Sequence, residues 1–410
     1  MDLRSLKQFV YYMGPGFIVG VAYMDPGNWA ANMNAGSKFG TNLLWVIVAS
    51  SIIAMGIQIV TAKLGIATGK GISELCRERL PKKAVVPLWI AAELAMVATD
   101  MAEILGAAIG FSLLFNIPIT AGAVLAGVSA FALLGVRTAF NRGYRYIEVA
   151  ITAMVAVVAL GFVFEMVLAN PTGSQIVSGL VPEFPTGSAL YASISILGAT
   201  IMPHSVYLHP KIVQARRRRL IEKEEDTEEV HRKHLNFESK ETVLALSGTM
   251  FVNGAMLIVA AAALQGTGIS SLQDAYITIN TVFGSSASEV FGLALVVAGL
   301  ASSIVATMAG QEVMDGFMNF RINVWVRRTL TLIPSIAVVA MGFNPTEVLV
   351  ASQAALSFEL PFVLIPLVYF TMDRKVMGGF ANNTWVNKAL SLVVSIIVVL
   401  NVILLYQTLF

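Results

Sequence analysis

Apolar runs of about twenty residues, each long enough to cross a bilayer as an α-helix, recur along this chain from end to end. They fall near residues 12–35, 43–67, 84–114, 119–136, 146–169, 187–210, 242–265, 287–309, 324–342, 346–371 and 386–408. The pattern predicts an all-α polytopic membrane protein of eleven transmembrane helices in a single domain over 1–410. The third run is long enough to tilt or to project beyond the bilayer. The ninth is the most polar, with Arg327 and Arg328 at its start and Pro334 inside it. The one long hydrophilic stretch, about 211–241, reads as a solvated loop, partly helical through i,i+4 acid–base pairs. His231 and His234 lie three apart there and could touch a metal, but solvated side chains are the expectation.

Two of the runs are broken. Within the first, Ala22-Tyr23-Met24-Asp25-Pro26-Gly27-Asn28 interrupts an otherwise apolar segment. Pro26 has no N–H to donate, Gly27 loosens the backbone, and Asp25 puts a carboxylate at bilayer depth, where charge is costly and usually functional. A helix broken beside an acid and an amide frees carbonyls for a cation. A second break, Gly198-Ala199-Thr200-Ile201-Met202-Pro203-His204, falls in the sixth run, its proline 177 residues after the first. Each break opens a block of five spans, about 12–169 and about 187–371. An odd number of spans per block requires the second block to be inverted. Two inverted repeats with discontinuous first and sixth helices describe the leucine-transporter type of fold, with the span at about 386–408 outside the repeat.

Composition agrees with the pattern. Only 13% of residues are charged and 56% are hydrophobic, against roughly 25% charged in soluble proteins. A net charge of +2 gives no reason to expect a nucleic-acid partner. The position of the charges is more informative. With a cytoplasmic N-terminus bearing Arg4 and Lys7, the even-numbered spans end inside, and 26 of the 27 Lys and Arg residues fall on that side, Lys38 alone outside. The expected location is the cell membrane, multi-pass. Cys76 is the one cysteine, so no intramolecular disulfide forms, and no cleavable signal peptide is evident. Gly16-x-x-x-Gly20 and Gly106-x-x-x-Gly110 read as faces for close helix packing, and Trp29, Trp45 and Trp89 as packing or interface residues. Without a phosphate-binding glycine loop or a His-Glu-x-x-His stretch, an enzyme is not expected.

Asp25-Pro26-Gly27-Asn28 together with Met202-Pro203-His204 resembles the Nramp family of proton-coupled divalent metal transporters. The flanks agree: Gly14-Pro15-Gly16-Phe17, Thr99-Asp100-Met101-Ala102-Glu103, Gly310-Gln311-Glu312-Val313-Met314-Asp315-Gly316-Phe317, and Ser352-Gln353 through Glu359-Leu360-Pro361-Phe362. The eleven-span length is similar to that of the bacterial manganese transporters of the family. The resemblance implies that Asp25, Asn28 and Met202 hold the ion, with the carbonyls of Ala22 and Ala199, and that Gln353 approaches it when the site occludes. Pro26, Gly27 and Pro203 are the helix-breaking residues. A thioether beside oxygen donors suits Mn²⁺, Fe²⁺, Co²⁺ or Cd²⁺ over Mg²⁺ and Ca²⁺.

Proton coupling needs titratable groups near the ion. Asp25, Glu93, Asp100, Glu103 and Glu359 all fall at membrane depth, and Asp100 and Glu103 share a helical face. With His204, and with His209 across the break, they form a candidate relay toward the cytoplasm, and the resemblance implies Arg328 as their partner. The metal is then a substrate and no cofactor is expected; partners are divalent ions, protons and the bilayer, with a monomer as the expected unit. Two other readings stay open: the same fold carrying Mg²⁺ or an amino acid, and a membrane sensor that binds metal without moving it.

Overall fold

The computed structural model describes residues 14–139, 143–183, 187–221, 226–266 and 271–409. Arg4, Lys7, Arg142, Glu222, Glu224 and Glu225 lie outside these residues.

Helix occupies every expected span. The first is shared by α1 (Pro15–Ala22) and α2 (Pro26–Phe39), and α3 (Leu44–Thr68) forms the second. After the short α4 (Ile72–Arg79) come α5 (Lys82–Phe115), α6 (Ile119–Ala139) and α7 (Gly143–Ala169). A short α8 (Gly173–Gly179) precedes the sixth span, shared by α9 (Ser188–Thr200) and α10 (Pro203–Ile221). The second half continues with α11 (Glu228–Leu264), a short α12 (Leu272–Phe283), α13 (Ser285–Met318), α14 (Val324–Ala340) and α15 (Pro345–Met372). After a single turn, α16 (Arg374–Met377), the eleventh span is α17 (Thr384–Leu409). No strand occurs among the described residues. Among the described residues six of these helices, and α9 with α10 taken together as one span, are long and apolar enough to cross a bilayer. The first span falls short because the break divides it into pieces of eight and fourteen residues, and α14 because it has only seventeen residues and carries two arginines.

Both breaks sit at the centre of the bundle. Tyr23, Met24, Asp25, Asn28, Ile201, Met202 and His204 are all buried. Close approach is made possible by small residues: a Cβ at Gly106 of α5 would collide with the ring of Pro26, so the third span supports the first break directly. Gly20 lies against Ala245 of α11 in the same way, as the small-residue faces predict. Trp29 is fully buried between Phe162 and Phe291, which assigns it to packing rather than to an interface.

The described residues of 211–241 are mostly helical, with one face buried rather than solvated. Helix α10 runs on to Ile221 and α11 begins at Glu228, capped by the Thr227 side chain accepting from Val230 N–H. Glu228 accepts from Arg232 one turn on, but the face bearing His234, Glu238 and Glu241 is buried. The charges repeat at helical spacing, and that repeat lets one face leave water only because each buried group finds a partner. Glu241 accepts hydrogen bonds from the Gly14 and Phe17 N–H groups, at 2.5 and 3.2 Å, and lies 3.6 Å from Arg216. Those N–H groups belong to the exposed donors of a helix start, so a side chain from α11 caps α1. Cys76 is likewise buried, within α4.

Removing the Glu241 carboxylate should strand one buried and one part-buried N–H group. Glu241→Ala is expected to cost about 1–3 kcal/mol, read as a lower Tm in detergent. Glu241→Gln, which keeps an accepting oxygen, should cost less.

Candidate metal site

Helix α1 ends at Ala22 because Pro26, four residues on, has no N–H to continue the ladder. Helix α9 ends at Thr200 for the same reason, Pro203 lying four residues after Ala199. Each proline therefore frees the carbonyl that the resemblance assigns to the ion. Other carbonyls of the first break are spoken for: Asn253 Nδ2 donates to Tyr23 O at 2.9 Å and Trp29 Nε1 to Met24 O at 3.1 Å. Asp25 caps α2, its carboxylate accepting from Gly27 N–H at 3.0 Å and Asn28 N–H at 3.1 Å. Asn28 joins the breaks. Its Nδ2 donates to Asp25 Oδ1 at 2.7 Å and to the Ala199 carbonyl at 2.8 Å, leaving Oδ1 buried with no hydrogen-bond partner among the described residues.

Gln353 on α15 closes the same space. A Cβ at Gly27 would overlap its side-chain amide and lie 2.7 Å from Asp25 Oδ2, so only glycine fits between them. Gln353 Nε2 donates to Ser352 Oγ at 3.2 Å, while its Oε1 is buried and unpartnered. Met202 is fully buried in the link between α9 and α10. Asp25, Asn28, Ala199 and Gln353 thus converge, with amide oxygens left as open acceptors. Among the described residues no group of three or more His, Cys, Asp or Glu side chains is arranged to hold a metal. Any ion here depends on amide, carbonyl and thioether donors beside a single carboxylate.

The acids of α5 face this site from one side. Glu103 lies within electrostatic range of Asp25, Asp100 and Arg328 and accepts a hydrogen bond from Ser302. Arg328 Nη1 reaches Asp100 Oδ1 at 2.9 Å and Thr307 Oγ1 at 3.3 Å, and its Nη2 contacts Ser303. The adjacent Arg327 clasps both oxygens of Glu93, which lies about two turns before Asp100 on α5, at 2.8 and 3.3 Å. Glu359 accepts from the Tyr207 hydroxyl at 3.1 Å. Paired charges of this kind are how ionisable groups persist at membrane depth.

A sequence profile described as natural resistance-associated macrophage protein-like matches residues 16–407. The chain belongs to the Nramp family. It is 42% identical to the divalent metal cation transporter MntH of Chromohalobacter salexigens over 403 residues, covering 97% of this chain and 91% of that protein. The crystal structure of a variant of the Eremococcus coleocola manganese transporter superposes with a TM-score of 0.86 at 31% identity, over 97% of this chain and 86% of that one. The nucleobase-cation symporter Mhp1, at 16% identity and a TM-score of 0.62 over 87% of this chain and 78% of that one, shares the fold alone. That fold is the inverted five-plus-five repeat.

The geometry of this Nramp chain alters the histidine reading. His204 and His209 do not straddle the break: both lie in α10, after it. His204 is buried, and neither ring nitrogen has a hydrogen-bond partner among the described residues, so no direct bond joins it to Asp100 or Glu103. His209 is instead held by residues the sequence did not single out. Its Nδ1 is 2.8 Å from Gln58 Oε1, which only accepts, and its Nε2 is 3.0 Å from Glu238 Oε1. Nδ1 must carry a hydrogen, so the Nε2–Oε1 contact holds a proton on one partner or the other. Gln58 Nε2 passes the chain to the Tyr23 hydroxyl at 2.8 Å, inside the first break. His231 pairs with Asp226 at 2.8 Å, not with a metal cluster.

The Gly310–Phe317 motif of the Nramp resemblance lines a cavity of about 260 Å³ with Leu208, Lys211 and Arg327. Lys211 reaches Glu312 at 3.5 Å and Glu74 at 3.4 Å, and Arg77 Nη1 donates to the Asp315 carbonyl at 2.8 Å. The motif therefore ties α4, α10, α13 and α14 together and adds no group to the two breaks. Sequence reasoning also missed Ser302, Ser303 and Thr307, small hydroxyls in α13 that only the fold sets beside the acids.

Breaking a buried ion pair from one side costs about 3–5 kcal/mol. Arg328→Met is expected to lose that much, and Asp100→Asn in the same chain to recover most of it, measured as thermal unfolding in detergent.

Proposed function

We propose that this chain imports divalent transition-metal ions, Mn²⁺ first and Fe²⁺ with it, by alternating access coupled to protons. The observation that carries the reading is Asn28 bridging Asp25 and the Ala199 carbonyl, because it draws the donors of both broken helices to one point. Asp25, Asn28 and Gln353 supply oxygens, Met202 supplies a soft sulfur, and the Ala22 and Ala199 carbonyls complete the donor set. Carboxyl ends of α1 and α9 bring the negative ends of two helix dipoles to the cation. Thioether ligation disfavours Mg²⁺ and Ca²⁺, hard ions that seek oxygen; the same sulfur admits Co²⁺ and Cd²⁺. The names carried by the relatives support the same class of cargo.

Coupling follows from charge. A divalent ion binds the deprotonated Asp25, so its arrival and a proton compete for one carboxylate. Asp100, Glu103 and Arg328 form a paired acid–base set beside it, with His204 buried just after the second break and Glu93 with Arg327 at the far end of the same helix pair. His209 adds a second proton-bearing contact through Glu238. With Lys and Arg concentrated on one side, the N-terminus of α1 faces the cytoplasm, and these sets lead from the site toward that face.

Uptake into proteoliposomes is the test. Mn²⁺ flux should persist in excess Ca²⁺ or Mg²⁺; equal competition by Ca²⁺ in the unaltered protein would refute the role of the sulfur. Met202→Ala should narrow the preference for Mn²⁺ by about tenfold, roughly 1.4 kcal/mol, and Asp25→Ala should abolish transport. A pH-sensitive dye inside the vesicles should report acidification during Mn²⁺ entry. Asp100→Asn and Glu103→Gln should diminish that signal; if proton and metal flux are both unchanged, these two acids do not serve coupling.

A further inference from the structure

Helix α17 lies outside the repeat and faces outward along most of its length: 22% of its apolar window is buried, against 56–89% for the other long spans. Among the described residues of this helix four are buried, Leu390, Ile397, Asn401 and Leu404, and Asn401 is the polar one. Its Nδ2 donates to the Ser357 carbonyl on α15 at 2.8 Å, while the Ser357 hydroxyl donates back to Asn401 Oδ1 at 2.9 Å. The reason for this clasp lies in α15 itself. Pro361 falls four residues after Ser357 and has no N–H, so the Ser357 carbonyl has lost its intrahelical donor. In a bilayer no water replaces that donor. Asn401 does.

The clasp falls where α15 bears on the site. Gln353 is one turn before Ser357, and both press on Gly198 of α9, where a Cβ would strike the Gln353 carbonyl and approach the Ser357 nitrogen and Cβ to 3.0 Å. Gly198 adjoins Ala199, whose carbonyl Asn28 holds. The eleventh helix therefore grips the turn of α15 that lies between its own surface and the second break.

We propose that Asn401 is a positioning residue: by replacing the donor that Pro361 removes, it fixes the turn that presents Gln353 Oε1 to the ion. This rests on the reading of Gln353 as a metal ligand. Asn401 touches neither the ion nor the acids; it acts through the Ser357 main chain. The eleventh span is thereby part of the site's support rather than an appendage.

Mn²⁺ uptake by the full chain in proteoliposomes, resolved into KM and maximal rate per folded transporter, tests this. Asn401→Leu should raise KM about fivefold, the scale of one coupled contact, with a smaller change in maximal rate. Ser357→Ala spares the bond to the carbonyl and should stay within about twofold of the unaltered KM. In a Gln353→Ala background, Asn401→Leu should add nothing. If the leucine variant does not enter vesicles, Asn401→Asp removes the same donor at constant size and should give the same rise. An unmoved KM, or an equal rise with and without Gln353, overturns the proposal. A Gln353→Ala variant with unaltered KM sinks the ligand reading itself, in an arm that leaves Asn401 untouched, and the positioning role falls with it.

Discussion

A membrane helix must satisfy its own backbone, and two prolines prevent it here. Pro26 and Pro203 each withhold the N–H that the carbonyl four residues earlier requires. Water cannot make good the loss at bilayer depth. Much of the surrounding structure answers that deficit. Asn253 and Trp29 take the carbonyls of Tyr23 and Met24, Asn28 takes that of Ala199, and Asp25 caps the helix that restarts beyond it. Atoms left without partners, Asn28 Oδ1 and Gln353 Oε1, are acceptors. A place that gathers unpaired acceptors in a low-dielectric setting is suited to a cation.

The deficit also explains why the frame is polar where a membrane protein is usually apolar. Glu241 holds the start of α1, and Glu238 with His209 and Gln58 runs from α11 through α10 and α3 to Tyr23. The start of α1, both breaks and the middle of α3 are each held by a hydrogen bond from another span. Ser357 and Asn401 repeat the device at a third proline, in α15. Polar contacts between helices stand in for the hydrophobic drive that lipid cannot provide.

Charge follows the same economy. Asp100 is buried against Arg328, and Glu93 against Arg327, so four ionisable groups sit within the bundle at little net charge. Glu103 accepts from Ser302 and lies within electrostatic range of Asp25.

Local chemistry is what the chain alone determined. Apolar run length set the spans, and Pro, Gly and Asp placed the breaks, because their effects act within four residues along the backbone. Even the freed carbonyls of Ala22 and Ala199 can be counted from the prolines. The hydrophilic stretch at 211–241 misled, since its charges look solvated until partners hundreds of residues away are known: Glu241 meets Gly14 across 227 positions. His209 looked like part of the break, but Gln58 and Glu238 claim it. Whether the breaks meet was also beyond the sequence, since Asn28 and Ala199 are 171 residues apart and no periodicity relates them. Only the packing of the two repeats, with glycine at 27, 106 and 198 permitting contact, brought the ends of both helices to one point.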